Sequence, residues 1–247
     1  MDAPLTTPAI VYPESDGKPM AETWIHVRAM HWLHQALEDF FHDRPDVFIA
    51  SDMFWYWKEG RTKTTAPDVM VVPGVGHRAR RSFFTWKENG AVPAVVFEMA
   101  SEGTWRKDLA GKRRLYERRG VSEYFIFDPE DLYLEKGPLL GFRLDATGRF
   151  RTLDPIDGVL SSELGFDMRP EGTMLRLVDR KTSVPVPTRS EKVAEEEHRA
   201  DEEKRRADEE KHRADEQKRR ADALQAEVER LKALLARAGG APSGNCA

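Results

Sequence analysis

Residues 20–184 predict an α/β domain with a mixed central sheet flanked by helices, and residues 191–237 predict a long charged helix ending as a short coiled coil. Three observations carry this. Short apolar runs bounded by turn residues alternate with amphipathic stretches, the order an α/β domain requires. After VPVPT at 184–188 the sequence turns almost wholly charged. Beyond Arg199 it repeats every seven residues, with Ala200, Ala207, Ala214 and Ala221 in register. In this scheme residues 1–19 are an N-terminal arm, 185–190 a linker and 238–247 a disordered tail.

The elements follow in order. Over 21–41, Trp24, Val27, Met30, His31, His34, Leu37 and Phe41 recur at spacings of three and four, which gives one helical face. Residues 48–57 are rich in aromatic and branched side chains and end at Lys58-Glu59-Gly60, a strand closed by a turn. Pro67 fixes the entry to a second strand over 68–72 and keeps the residue before it extended. A basic and aromatic connection over 78–90 leads to 91–99, apolar enough for a sheet interior. Residues 105–119 form a helix ended by Gly120, and 123–127 a buried strand ended by Asp128-Pro129. Residues 139–144 and 150–153 pair as a hairpin around Ala146-Thr147-Gly148.

With 247 residues and a net charge of -4, the chain can fill one substantial domain but has no global basic field. Contact with nucleic acid therefore needs a local patch. Arg78, Arg80, Arg81, Arg106, Lys107, Lys112, Arg113, Arg114, Arg118 and Arg119 supply one. The single cysteine, Cys246, leaves no disulfide framework within the chain and no cysteine metal site, which fits a reducing cytoplasm. The first residues lack a basic stretch followed by an apolar run, and no apolar segment approaches the roughly 20 residues that span a bilayer. A cytoplasmic protein without a membrane partner is expected.

The densest chemistry lies at Asp68, Glu98 and Lys112. Asp68 opens one apolar strand and Glu98 closes another, so antiparallel pairing would bring the two carboxylates to the same end of the sheet. A cation would offset their repulsion, and oxygen ligands favour Mg²⁺ or Mn²⁺ over zinc. Asp108, Lys112 and Tyr116 fall four apart on the next helix, which lets the Lys112 ammonium face the acids. Two acids, a cation and an ammonium suit attack on a phosphodiester. Taken singly, each residue has a plainer role: turn chemistry for Asp68, an Asp108–Lys112 surface pair worth about 0.2 to 0.5 kcal/mol, a packed core ring for Tyr116. Glu98 resists that reading most, because a carboxylate in a buried strand is costly without partners. His26, His31 and His34 read as packed or solvent-facing, with no fixed carboxylate partner. A serine hydrolase is unsupported, since Ser101 lacks the glycines of a nucleophile elbow.

Taken together, APDVMVV at 66–72, VVFEMAS at 95–101, the Asp108, Lys112 and Tyr116 spacing, GVSEYFIFDP at 120–129 and LLGFRL at 139–144 resemble the Uma-two family of restriction endonucleases, within the PD-(D/E)XK nuclease-like superfamily. The resemblance spans about residues 20–170. It implies a restriction-endonuclease-like fold with the acids at one sheet edge, and Mg²⁺-dependent cleavage of DNA. By that likeness Asp68 is the first acid and Glu98 the second, both ligands of Mg²⁺ or Mn²⁺. The superfamily's usual lysine would stand two positions after Glu98, where this chain has Ala100; Lys112 resembles the lysine relocated to the following helix. Ser101 and Asp108 match positions that would support the site. Arg78, Arg80, Arg81, Arg113 and Arg114 would contact DNA phosphates. Ala100 keeps a second class open: a nuclease-fold module without catalysis that binds DNA or protein, with the helical tail as its interaction element.

The tail has two halves. Its heptad positions read Glu203, Glu210 and Gln217 before Leu224 and Leu231, so an apolar seam of Leu224, Val228, Leu231 and Leu235 exists only at the end. Upstream, Asp201 with Arg205, Glu202 with Arg206, Glu209 with Arg213 and Glu216 with Arg220 are acid-first pairs that support a lone charged helix. A solvated arm and a homodimer through the seam are both open.

Overall fold

The computed structural model describes residues 10–13 and 23–238. Most of the expected N-terminal arm, residues 21 and 22 of the first helix, and the tail with Cys246 lie outside the described residues. Two compact units part between Thr188 and Arg189.

The first unit begins with α1 (Trp24–Phe40), capped by Thr23, whose hydroxyl accepts the His26 N–H at 3.2 Å. Its strands are β1 (Phe48–Ser51), β2 (Trp55–Tyr56), β3 (Val69–Val72), β4 (Phe83–Phe84), β5 (Val95–Met99), β6 (Glu123–Phe127), β7 (Leu139–Leu144), β8 (Phe150–Leu153), β9 (Leu160–Ser161), β10 (Phe166–Glu171) and β11 (Met174–Asp179). One sheet runs β1-β3-β5-β6-β7-β8, with β5 and β6 parallel and its other pairs antiparallel. This is the mixed central sheet the sequence predicts.

Side chains alternate across the sheet, so each central strand feeds two cores. Val69, Val71, Val95, Phe97, Phe125 and Phe127 pack with α1 and with Phe166, Met168, Leu175 and Leu177 of β10 and β11. Met70, Val72, Val96, Tyr124 and Ile126 pack on the other side with Trp55, Phe83 and Tyr116. Because both faces are covered, β3, β5 and β6 read as continuous apolar runs. The connection from β5 to β6 consists of α2 (Trp105–Lys107), a π-helical turn (Asp108–Lys112) and α3 (Arg113–Arg119), ended by Gly120 at φ 77°.

Four features differ from expectation. The strand predicted over 48–57 breaks at Asp52, which has φ 46° and donates its N–H to the carbonyls of Pro67 and Asp68. That turn lets β2 leave the main sheet and pair parallel with β4. The buried face of α1 is His26, Ala29, Leu33, Ala36 and Leu37, while Trp24 is exposed under the Arg28 guanidinium. Small alanines let the helix sit close to the sheet, and this outweighs the larger residues of the predicted face. A three-stranded antiparallel sheet, β11-β10-β9, follows the hairpin. Finally, 185–188 is no linker: Val186 donates to Leu177 O at 2.8 Å and accepts from Arg176, and both Val186 and Thr188 are buried.

The second unit is α4 (Arg189–Ala238), a helix of 50 residues and so about 75 Å long. Glu216 and Arg220 form the expected pair at 2.7 Å, whereas Arg205 reaches forward to Glu209 at 4.0 Å. Leu224, Val228, Leu231 and Leu235 are exposed. Among the described residues, no helix is long and apolar enough to cross a membrane.

Candidate active site

The antiparallel register pairs Val69 with Phe97, which sets Asp68 opposite Glu98 at the end of the sheet. Asp68 is half-buried. Its Oδ2 accepts the Met99 N–H at 2.6 Å and stands 3.6 Å from His26 Nε2. Glu98 is fully buried. Its Oε2 accepts from Lys112 Nζ at 2.7 Å and its Oε1 from the Tyr116 hydroxyl at 2.5 Å. Asp108 is equally buried, with Oδ1 3.2 Å from Lys112 Nζ.

The π-helical turn explains how the helix delivers these groups. On a 3.6-residue helix, positions four apart drift by about 40° per step, so Asp108, Lys112 and Tyr116 would fan away from one line. A wider π turn reduces that drift, and such turns recur at functional sites. Its loosened backbone is held from the sheet, where the Tyr124 hydroxyl donates to the Asp108 carbonyl at 3.1 Å. Behind Tyr116, the Trp55 ring stacks at 6.3 Å and fixes the phenol.

The charges are strongly coupled. Burial pushes the Glu98 carboxyl well above 4.5, although the Lys112 charge pulls it back. The Asp108 carboxyl is raised for the same reason. Burial would raise Asp68 too, but the neighbouring His26 ring and the Lys112 charge hold it below 3.8. Burial disfavours the Lys112 ammonium, yet Glu98, Asp108 and Asp68 outweigh it and keep the lysine protonated. Tyr116, desolvated and facing Glu98, is pushed well above 10 and stays a neutral donor.

Residues 6–167 match the model of the Uma2 family, described as "Putative restriction endonuclease". The chain belongs to the Uma2 family. No curated protein matches it. Among solved structures, one described as "a putative nuclease belonging to DUF820 from Anabaena variabilis ATCC 29413" is 13% identical over 60% of this chain and 76% of that chain, with a TM-score of 0.45.

Within this Uma2 chain, Ala100 is buried in the same core as Tyr116, and the ammonium beside Glu98 comes from Lys112. The Ser101 hydroxyl meets that of Thr104 at 3.0 Å, and its carbonyl accepts the N–H groups of Thr104 and Trp105, which starts α2. The basic residues divide. Arg80 leaves the candidate DNA-contact set, because its side chain is 3% exposed and its N–H groups go to Glu88 and to the carbonyls of Val75, Gly76 and Arg78. Arg78 is exposed but tied to Glu88 at 2.7 Å. Arg113 lies over the Phe142 ring at 4.3 Å, and Arg81 and Arg114 are exposed.

His26 is the site residue that the predicted helix face hides. It is buried beside Asp68, while His34 turns to the Ser51 hydroxyl at 2.8 Å. The signal was present: His26, Ala29, Leu33 and Ala36 form an equally regular stripe. Among the described residues, no group of three or more His, Cys, Asp and Glu forms a ready-made metal cage. The donor set nevertheless fits a hard divalent cation, since facing carboxylates offer oxygen alone, provided that Lys112 yields its place on Glu98.

Proposed function

We propose that this chain is a divalent-cation-dependent endonuclease hydrolysing DNA phosphodiester bonds at Asp68, Glu98 and Lys112. One observation carries the reading: two acids at facing register positions meet a protonated lysine, Nζ 2.7 Å from Glu98, in a buried corner of the sheet. In this reading Asp68 and Glu98 hold Mg²⁺ or Mn²⁺, which when bound supplies Lewis acidity to the attacking water and the phosphoryl oxygen. Lys112 donates to the negative charge that develops on phosphate. Tyr116 and the Met99 N–H orient the two acids. Arg78, Arg81, Arg113 and Arg114 contact the DNA backbone, which positions the duplex without reading bases.

The test is cleavage of a diverse DNA panel with Mg²⁺ by wild type, Asp68→Ala and Glu98→Ala. Each variant should cleave at least about 100-fold less than wild type; equal cleavage by all three overturns the assignment. A second reading, a binding module without catalysis, draws on Ala100 and on the hydrogen bonds that Lys112 and Tyr116 already make to the two Glu98 oxygens. Wild-type binding of the panel without cleavage would select it.

The proposal includes a homodimer through Leu224, Val228, Leu231 and Leu235, exposed side chains whose four-three-four spacing makes one stripe of α4. In sedimentation, the full chain should reach a dimer mass and a chain truncated after Thr188 should not. Identical monomer masses over a wide concentration range would end that idea.

A further inference from the structure

We propose that Asp108 is a positioning residue that receives the Lys112 ammonium when Glu98 takes a divalent cation, an inference resting on the metal-dependent reading above. Both oxygens of Glu98 are engaged, Oε1 by the Tyr116 hydroxyl and Oε2 by Lys112 Nζ. Glu98 can serve a divalent ion only if the ammonium withdraws, since two cations at one oxygen repel. The Lys112 side chain is only 25% exposed, and a largely buried ammonium stripped of its acceptor is strongly destabilising. A second acceptor is needed close by.

Asp108 meets that requirement. It is fully buried, and neither carboxylate oxygen finds a hydrogen-bond partner among the described residues. Native proteins rarely bury carboxylate oxygens without well-aligned donors, so a buried acid that is ion-paired with Lys112 yet short of such donors calls for an explanation. Its Oδ1 stands 3.2 Å from Lys112 Nζ, close but without hydrogen-bond geometry. A small rotation of the lysine side chain turns that proximity into a bond and frees Glu98 Oε2, without carrying the ammonium into water. In the exchange Asp108 replaces Glu98 as the partner of the ammonium. The π-helical turn and the Tyr124 hydroxyl on the Asp108 carbonyl hold the second acceptor in place. A solvated i,i+4 surface pair would need neither.

The experiment is a double-mutant cycle on the full chain, read as Mg²⁺ affinity by calorimetry without DNA. Asp108→Asn should weaken Mg²⁺ binding about 10-fold, because the ammonium then has only Glu98 to hold. The same change in a Lys112→Met background should leave affinity within about twofold of Lys112→Met alone, since no ammonium is left to rehouse. Asp108→Glu, which keeps the acceptor, should bind within about threefold of wild type. An equal loss in both backgrounds would make Asp108 a direct ligand or a general support and overturn the proposal. Unchanged affinity in Asp108→Asn would also overturn it. Wild type that binds no Mg²⁺ removes the metal-dependent reading itself, a result distinct from binding that ignores Asp108. If Asp108→Asn does not fold, amine labelling of wild-type Lys112, followed by mass spectrometry, decides. Labelling should stay equally slow with and without Mg²⁺, and a large Mg²⁺-induced rise would mean release into water and overturn the hand-over.

Discussion

Glu88 and Glu98 both carry largely buried carboxylates in one domain, yet Glu88 accepts from two guanidiniums while Glu98 shares one ammonium with two further acids. Arg78 and Arg80 reach the Glu88 oxygens at 2.7, 2.8 and 3.2 Å, and Arg80 is itself filled by backbone carbonyls and seated over the Phe48 ring. The Arg80 hydrogen bonds outweigh burial and hold the Glu88 carboxyl below 4.5. At Glu98 the balance runs the other way, and burial wins despite Lys112. An ion pair that holds a fold together is saturated with countercharge. At Glu98 and Asp108 countercharge is short, and the cation proposed above would supply it.

Neutral isosteres should split the two regions cleanly, and the catalytic half of the split is the larger effect. Glu98→Gln should reduce DNA cleavage by at least about 100-fold while leaving stability unchanged or raising it by up to about 1 kcal/mol, because it removes a charge the fold disfavours. Glu88→Gln should do the reverse: cleavage unchanged, stability lower by about 1 to 3 kcal/mol, because the buried Arg80 guanidinium loses its ionic acceptor. Urea unfolding beside the cleavage assay gives both numbers. If Glu98→Gln destabilises as much as Glu88→Gln, the contrast between shortage and saturation is wrong.

The same contrast explains what could be read in the chain before its fold. The meeting of Asp68 and Glu98 was legible once antiparallel pairing was assumed, because one acid opens its strand and the other closes its own, and a buried carboxylate announces itself by the strand around it. Lys112 was legible because a spacing of four keeps it near the line of Asp108 and Tyr116, whereas the π-helical turn that tightens that line was not. The fate of Arg80 was not, because an arginine in a basic loop looks exposed until the carbonyls that surround it are assembled from Val75, Gly76 and Arg78. His26 was missed through the helix face: Trp24 and Met30 outweigh Ala29 and Ala36 in any hydrophobic tally, but close packing favours the alanines. The three strands after residue 159 carry Arg169, Pro170 and Arg176 among their apolar residues, which blurs their alternation. Asp52 broke its strand through a positive φ that no pattern of apolar residues encodes.

Acidity gives the subtlest separation, since the two regions titrate in opposite senses. For Glu88 the folded carboxyl lies below its ordinary 4.5, so its stabilisation is present above that pH and is lost as pH falls through the lowered folded value. For Glu98 and Asp108 the folded carboxyls lie above 4.5 and 3.8, so their contribution is full below those values and is lost as pH rises through the raised ones. Metal-free wild type should therefore lose stability from both sides. In Glu88→Gln the decline on the acid side should shrink, and in Glu98→Gln the decline towards neutral pH should flatten, with the other limb of each curve unchanged. Urea midpoints from about pH 3 to pH 8, with chelator present, measure the two limbs separately. Two variants that altered the same limb would mean the carboxylates are not held in opposite states, and the distinction between a lock and a site would have to rest on geometry alone.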